Sequence, residues 1–252
     1  LVAALTLGSA LPHLIAFLGG TDWRAVILTT SLCAALSGCA MLFILLGPHH
    51  QRAGSFQPRA IVIAFADPAI RRAYFGYFGH MWELYAFWAW VGTMAALAAL
   101  EAGLTEPAAF GSLIAFCAIA LGGLATVPAG AIADRIGKAP VAGTALLGSG
   151  LFGVAAALTF GGPLWLFAGV LILWGIAVIP DSAQLSAMVA DAAPPQYAGS
   201  IMTLQNAIGF ALSAISVELT PVLAQSIGWP LALLVLVAGP AMGIAALARR
   251  VG

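Results

Sequence analysis

Charge is what this chain lacks most. Of its 252 residues only 7% are Asp, Glu, Lys or Arg, against about 25% in an ordinary soluble domain. That deficit excludes a soluble globular protein. Nine basic residues balance nine acidic ones, so there is no basic field to hold nucleic acid and no acidic tract to solvate a disordered tail. Cysteine is scarce as well. Cys33, Cys39 and Cys117 form no C-x-x-C pair and have no ligand cluster beside them, which excludes a disulfide framework and a zinc site; they read as small buried apolar residues. Absent too are H-E-x-x-H, G-x-S-x-G and a phosphate-cradling glycine loop ending in Lys, and His80-x-x-Glu83 alone makes no metal site. The expectation is a protein that is not an enzyme and uses neither cofactor nor metal.

What is there is hydrophobic: 62% of the residues. Spread evenly, eighteen charges would interrupt the chain every fourteen residues, too often for the roughly 20 apolar residues a membrane helix needs. They are clustered instead, and eight apolar spans result, over 1–18, 24–47, 71–100, 107–130, 139–160, 163–190, 197–222 and 229–249. The fold class is therefore an all-α polytopic membrane protein with eight transmembrane helices and the lipid bilayer as its solvent. The first span has no basic leader and seven spans follow it, so it reads as a span of a longer chain rather than a signal peptide. Turn chemistry punctuates the series: Asp67-Pro68 offers a capping carboxylate and a first-turn proline, and Pro107, Pro140, Pro163 and Pro230 stand where helices can begin. One connection, 48–70, is long, and the others are short.

Lys and Arg are retained on the cytoplasmic side of membranes. With the first end of the chain cytoplasmic, Arg52, Arg59, Arg71, Arg72, Arg135, Lys138, Arg249 and Arg250 all fall on that side and only Arg24 on the other. Trp23, Trp165 and Trp229 then sit at outer helix ends, where an interfacial aromatic belt belongs. This orientation predicts a multi-pass protein of the cytoplasmic (inner) membrane with its C-terminus in the cytoplasm. Trp82, Trp88, Trp90 and Trp174 lie deep within the third and sixth spans.

Between the fourth and fifth spans runs Gly130-Ala131-Ile132-Ala133-Asp134-Arg135-Ile136-Gly137-Lys138. Glycines at 130 and 137 permit a tight turn between close helices, Asp134 can face a helix N-terminus, and Arg135 and Lys138 suit the cytoplasmic surface. This segment resembles the G-x-L-A-D-R-x-G-R loop of the major facilitator superfamily, departing at Ile132, Lys138 and Ala139. Members of that superfamily have two six-helix halves joined by a long cytoplasmic loop, with the motif between the second and third helices of each half. Two spans here precede the long loop and six follow it. The resemblance thus implies that residues 1–47 are the last two helices of an N-terminal half, 48–70 the central loop and 71–252 a complete C-terminal half (family helices 5 to 12 in all), with four further N-terminal helices of the same protein as partners. Pro194-Pro195-Gln196-Tyr197-Ala198-Gly199-Ser200 resembles the family's entry to its eleventh helix.

The resemblance implies a secondary transporter, or permease, that moves a small-molecule solute by alternating access. Candidate working residues lie on two stripes. On the third span Gly76, His80, Glu83, Phe87, Trp90 and Met94 recur at helical spacing. Glu83 is about 18 Å along from Arg71, near mid-bilayer, where a carboxylate costs about 2.5–3.5 kcal/mol on the milder scale and needs a cavity or a partner. Two readings stand: Glu83 exchanges a coupling proton with His80 as partner, or the two form a structural pair. On the sixth span Trp174, Ala177, Asp181, Gln184 and Met188 form a second stripe, with Pro180 freeing the Ile176 carbonyl. Asp181 is a further proton-coupling candidate, against a reading as a hydrated cap. Trp90, Phe87, Trp174 and Gln184, with Gln205 and Asn206 of the seventh span, are the cavity and substrate candidates, against plain packing. Away from the span ends, the interior holds acids and amides but no Lys or Arg, which mildly favours a neutral, zwitterionic or cationic solute. The rival reading is a membrane protein that transports nothing, a truncated form or an assembly scaffold.

Overall fold

The computed structural model of the chain describes residues 2–19, 22–44 and 56–248. Among the described residues there is no strand, and eight helical spans are long and apolar enough to cross a membrane. The protein is an all-α, multi-pass integral membrane protein. Its helices are α1 (Val2–Gly19), α2 (Trp23–Met41), α3 (Arg59–Ala66), α4 (Pro68–Glu101), α5 (Pro107–Ile136), α6 (Lys138–Thr159), α7 (Leu164–Val178), α8 (Pro180–Ala192), α9 (Ala198–Ile227) and α10 (Trp229–Ala248).

Local chemistry sets the boundaries. Asp67 caps α4, its carboxylate accepting from the N–H groups of Ala69 (2.8 Å) and Ile70 (3.1 Å), with Pro68 in the first turn. Pro107 opens α5, Pro163 caps α7, and Pro140 and Pro230 fall in the first turns of α6 and α10. These are positions where a missing N–H costs nothing. The long connection is not all loop. It contains α3, whose entry is pinned to the start of α9: Gln57 donates from its backbone N–H to the Ser200 hydroxyl and from its side chain to the Gln196 carbonyl. His49, His50 and Arg52 lie outside the described residues.

The sixth span is two helices. Pro180 cannot donate to the Ile176 carbonyl, and α7 ends at Val178 before α8 begins at Pro180. The break falls in the middle of a 29-residue apolar span.

Helix α4 is the axis of the bundle and packs against α5, α7, α8, α9 and α10. At its closest approach to α10 the helices meet through glycines: a Cβ on Gly79 would strike the Gly239 carbonyl, and one on Gly239 would strike the Gly79 carbonyl. Small residues let backbones approach this closely in a membrane, so Gly239-Pro240-Ala241-Met242-Gly243 is a packing device. Two apolar clusters form along α4, one around Ile70–Met81 and one around Leu84–Ala99. The ionisable residues lie at their junction. Helix α1 packs on α5, with Thr6 against Gly123, and α2 packs on α1 with no buried residue of its own.

That last feature corrects one expectation. Cys33 and Cys39 are exposed on α2, which buries no residue among those described, and Cys117 is half-buried on α5.

Candidate functional site

The third span does bring a carboxylate to the centre of the bundle, with partners that residue spacing does not reveal. Glu83 is fully buried. Its Oε1 accepts from the Trp174 indole N–H of α7 at 2.7 Å and its Oε2 from the Ser149 hydroxyl of α6 at 2.9 Å. Three helices are tied together at one carboxyl group, and both of its oxygens are occupied. The expected Glu83–His80 contact does not form, because the two side chains are drawn to different neighbours.

His80 turns to α8. Its Nδ1 lies 2.8 Å from Oδ1 of Asp181, with both side chains at most 1% exposed. The contact is close but is not an in-line hydrogen bond: Nδ1, Nε2 and Asp181 Oδ1 have no aligned partner among the described residues. Asp181 is therefore not a hydrated cap. The break at Pro180 places it in the first turn of α8 and aims it into the bundle, beside His80.

Beside this cluster, between α1, α4, α8 and α9, opens a cavity of about 190 Å³. Tyr77, Tyr85, Trp88 and Phe210 give it aromatic walls, and Asn206 and Ser182 supply polar groups. The Tyr77 hydroxyl donates to Asn206 Oδ1 at 3.0 Å, and the Tyr77 ring stands 6.1 Å from the His80 ring. Ile179 and Ser182 bracket Pro180-Asp181 and both face the cavity. The helix break thus has one side on the cavity and the other on the buried His80–Asp181 contact.

Of the six cavity candidates, only Asn206 lines this space. Trp174 is fully buried, holds Glu83 and packs on Phe87 at 4.7 Å between ring centres; both belong to the core. Trp90 donates to the Val217 carbonyl at 3.0 Å and leans on Trp229, as an interhelical strut near the start of α10. Gln184 is buried in α8 and is not among the cavity-lining residues. Gln205 is buried, with neither amide atom paired among the described residues.

The residues that spacing missed sit one position along α4. His80, Glu83 and Phe87 face the bundle interior, whereas Tyr77, Met81, Leu84, Tyr85 and Trp88 line the cavity. One residue is about 100° of helical rotation. A run of aromatics at 77, 85 and 88 was the available signal.

The motif loop is mostly helix. Gly130 lies within α5 with open space at its Cα, so it makes no turn. Gly137 does, at φ 97°, and it alone separates α5 from α6. Asp134 and Arg135 occupy the last turn of α5, exposed, and make no ion pair among the described residues. Asp134 therefore does not cap a helix. Lys138 pairs with Asp191 at the end of α8, linking the motif to the broken span.

The chain matches no protein-family model and no curated protein.

Proposed function

We propose that this chain is the C-terminal two-thirds of a secondary transporter of the major facilitator type, a carrier rather than an enzyme, in a cytoplasmic membrane with its C-terminus inside. It moves a small solute by alternating access, with protons as the coupling ion. The observation that carries this reading is the break at Pro180. It joins an interior cavity, through Ile179 and Ser182, to the buried contact between Asp181 and His80. Broken helices at mid-membrane commonly form transporter sites, and intramembrane ionisable groups are retained chiefly where they work.

In this reading a solute in the cavity displaces α8, which alters the Asp181–His80 contact. Loss or gain of a proton there, or at Glu83, shifts the balance between the two orientations of the helix break. The resemblance supplies the opposite cavity wall, as four further helices of the same protein.

The test is solute-dependent proton movement. Proteoliposomes loaded with the pH dye pyranine are given a pH gradient and challenged with neutral, cationic, zwitterionic and anionic solutes. Flux that depends on one solute class and is lost in Glu83→Gln or Asp181→Asn supports the reading. Solute flux unchanged in both variants removes the proton role. Folded protein with no flux for any class removes transport and leaves the scaffold reading.

A further inference from the structure

The short helix α3 has more apolar surface than its neighbours cover. Its eight residues contain no polar side chain after Arg59. A helix that is apolar all round belongs in a core or in a membrane, but eight residues reach only about 12 Å, too short to span a bilayer. Packing takes care of one side. Ala60 and Ala64 are fully buried against α4 and α9, while Ile61, Val62 and Phe65 stand 42%, 69% and 38% exposed on the other.

This exposed face continues onto a membrane-spanning helix. Arg71 of α4 donates from its guanidinium to the Phe65 carbonyl at 3.0 Å, and Phe75, one turn further along the same side of α4, is again exposed. Charge frames the face. Arg59 begins it and Arg71 ends it; both are exposed, and neither forms an ion pair among the described residues. The one acid between Arg59 and Phe75 is Asp67, and its carboxylate is turned to the start of α4, where it accepts from the Ala69 and Ile70 N–H groups.

We infer that α3 lies in the headgroup layer of the bilayer, with Ile61, Val62 and Phe65 turned to lipid and Arg59 and Arg71 binding the phosphate-bearing headgroups of anionic lipids. Apolar side chains just below the headgroups and cations level with them are the arrangement of an interfacial helix, and the surface around Phe75 already belongs to a span. The Phe65 carbonyl takes one N–H of Arg71, which leaves the rest of the planar fork for a phosphate. One arginine at an anionic surface favours it about fivefold. The inference goes beyond the transport reading and does not depend on it.

The test uses the full chain with Cys33, Cys39 and Cys117 replaced by alanine and one new cysteine carrying the fluorophore NBD, reconstituted in phosphatidylcholine vesicles. Trace phosphatidylglycerol or phosphatidylcholine with a nitroxide on the acyl chain quenches the label when it lies alongside. At Val62→Cys both lipids should quench, more strongly with the nitroxide near the headgroup than near the chain end, and phosphatidylglycerol should associate about fivefold more tightly. At Leu147→Cys, 52% exposed on α6, the two should be equivalent. Arg59→Gln, at an exposed side chain, should weaken the preference at position 62, Arg59→Gln with Arg71→Gln should abolish it, and Arg71→Lys should retain it. Equal quenching by the two lipids at position 62, or a preference that survives the double replacement, overturns the inference. So does a label at position 62 that neither lipid reaches while position 147 is quenched, since further helices of the protein or a second copy would then cover α3.

Discussion

The Trp174–Glu83 contact allows the sharpest quantitative test. Trp174→Phe preserves the ring that packs on Phe87 but deletes the N–H that Oε1 of Glu83 accepts at 2.7 Å. Two costs follow. The lost edge of the indole leaves a void of roughly 35 Å³, and at about 24 cal/mol per Å³ this amounts to about 1 kcal/mol. The hydrogen bond contributes about 0.6 kcal/mol if it resembles the average interhelical bond in a membrane, and about 1.5–3 kcal/mol if its acceptor is ionised. A double-mutant cycle separates them, because the void is common to both backgrounds. Glu83→Met removes the acceptor while keeping most of the side-chain volume. Stabilities of the four proteins, from reversible unfolding by dodecyl sulfate in mixed micelles, should give a coupling energy of about 1–2 kcal/mol. A coupling below about 0.5 kcal/mol, within the additivity of unconnected sites, would refute the claim that this contact ties α4 to α7.

Three further outcomes are accessible to the same assay. Asp181→Leu leaves His80 buried without its partner and should cost about 3–5 kcal/mol, whereas the double replacement His80→Phe with Asp181→Leu should recover most of that loss; a loss in the double variant equal to the sum of the two single losses would mean that the pair is not coupled. Gly79→Ala drives a methyl into the Gly239 carbonyl and should cost about 1–3 kcal/mol by overpacking, while Gly169→Ala, with open space around it, should stay within about 0.5 kcal/mol of the parent. Lys138→Ala removes only a partly exposed ion pair with Asp191, so stability should fall by no more than about 1 kcal/mol; a larger drop would show that the motif loop holds α8 in place.

Much of the fold was legible in the sequence because hydrocarbon is an unforgiving solvent. Eight apolar runs had to be helices, since no other open structure satisfies its backbone there, and Asp67-Pro68 or Pro107 could be assigned to helix starts from covalent geometry alone. The internal chemistry was legible only in kind. Residue spacing identified Glu83, His80 and Asp181 as groups needing partners, but not which neighbours would meet that need. Ser149 and Trp174 sit 66 and 91 residues from Glu83 in the chain, and no local pattern records such a pairing.

The same reasoning explains why the stripe through Glu83 and the cavity lie on neighbouring faces of α4. An acid in a membrane is stabilised equally well by a water-filled cavity or by a ring of donors, so periodicity through Glu83 marks a stripe that avoids lipid without saying which alternative applies. Here it is the donors: the His80–Glu83–Phe87 stripe is core. The cavity follows the neighbouring stripe through Tyr77, Tyr85 and Trp88, whose residues are amphipathic and can border either lipid or protein at little cost. Such residues carry no obligatory partner and leave no mark in a charge pattern. What distinguishes them is three-dimensional: their place in the cavity wall, beside a helix broken at Pro180. Separating the acids from the cavity also divides the labour. The acids tie helices together inside the bundle, the aromatic residues wall the cavity, and Ile179, Pro180, Asp181 and Ser182 are the short stretch of chain that touches both.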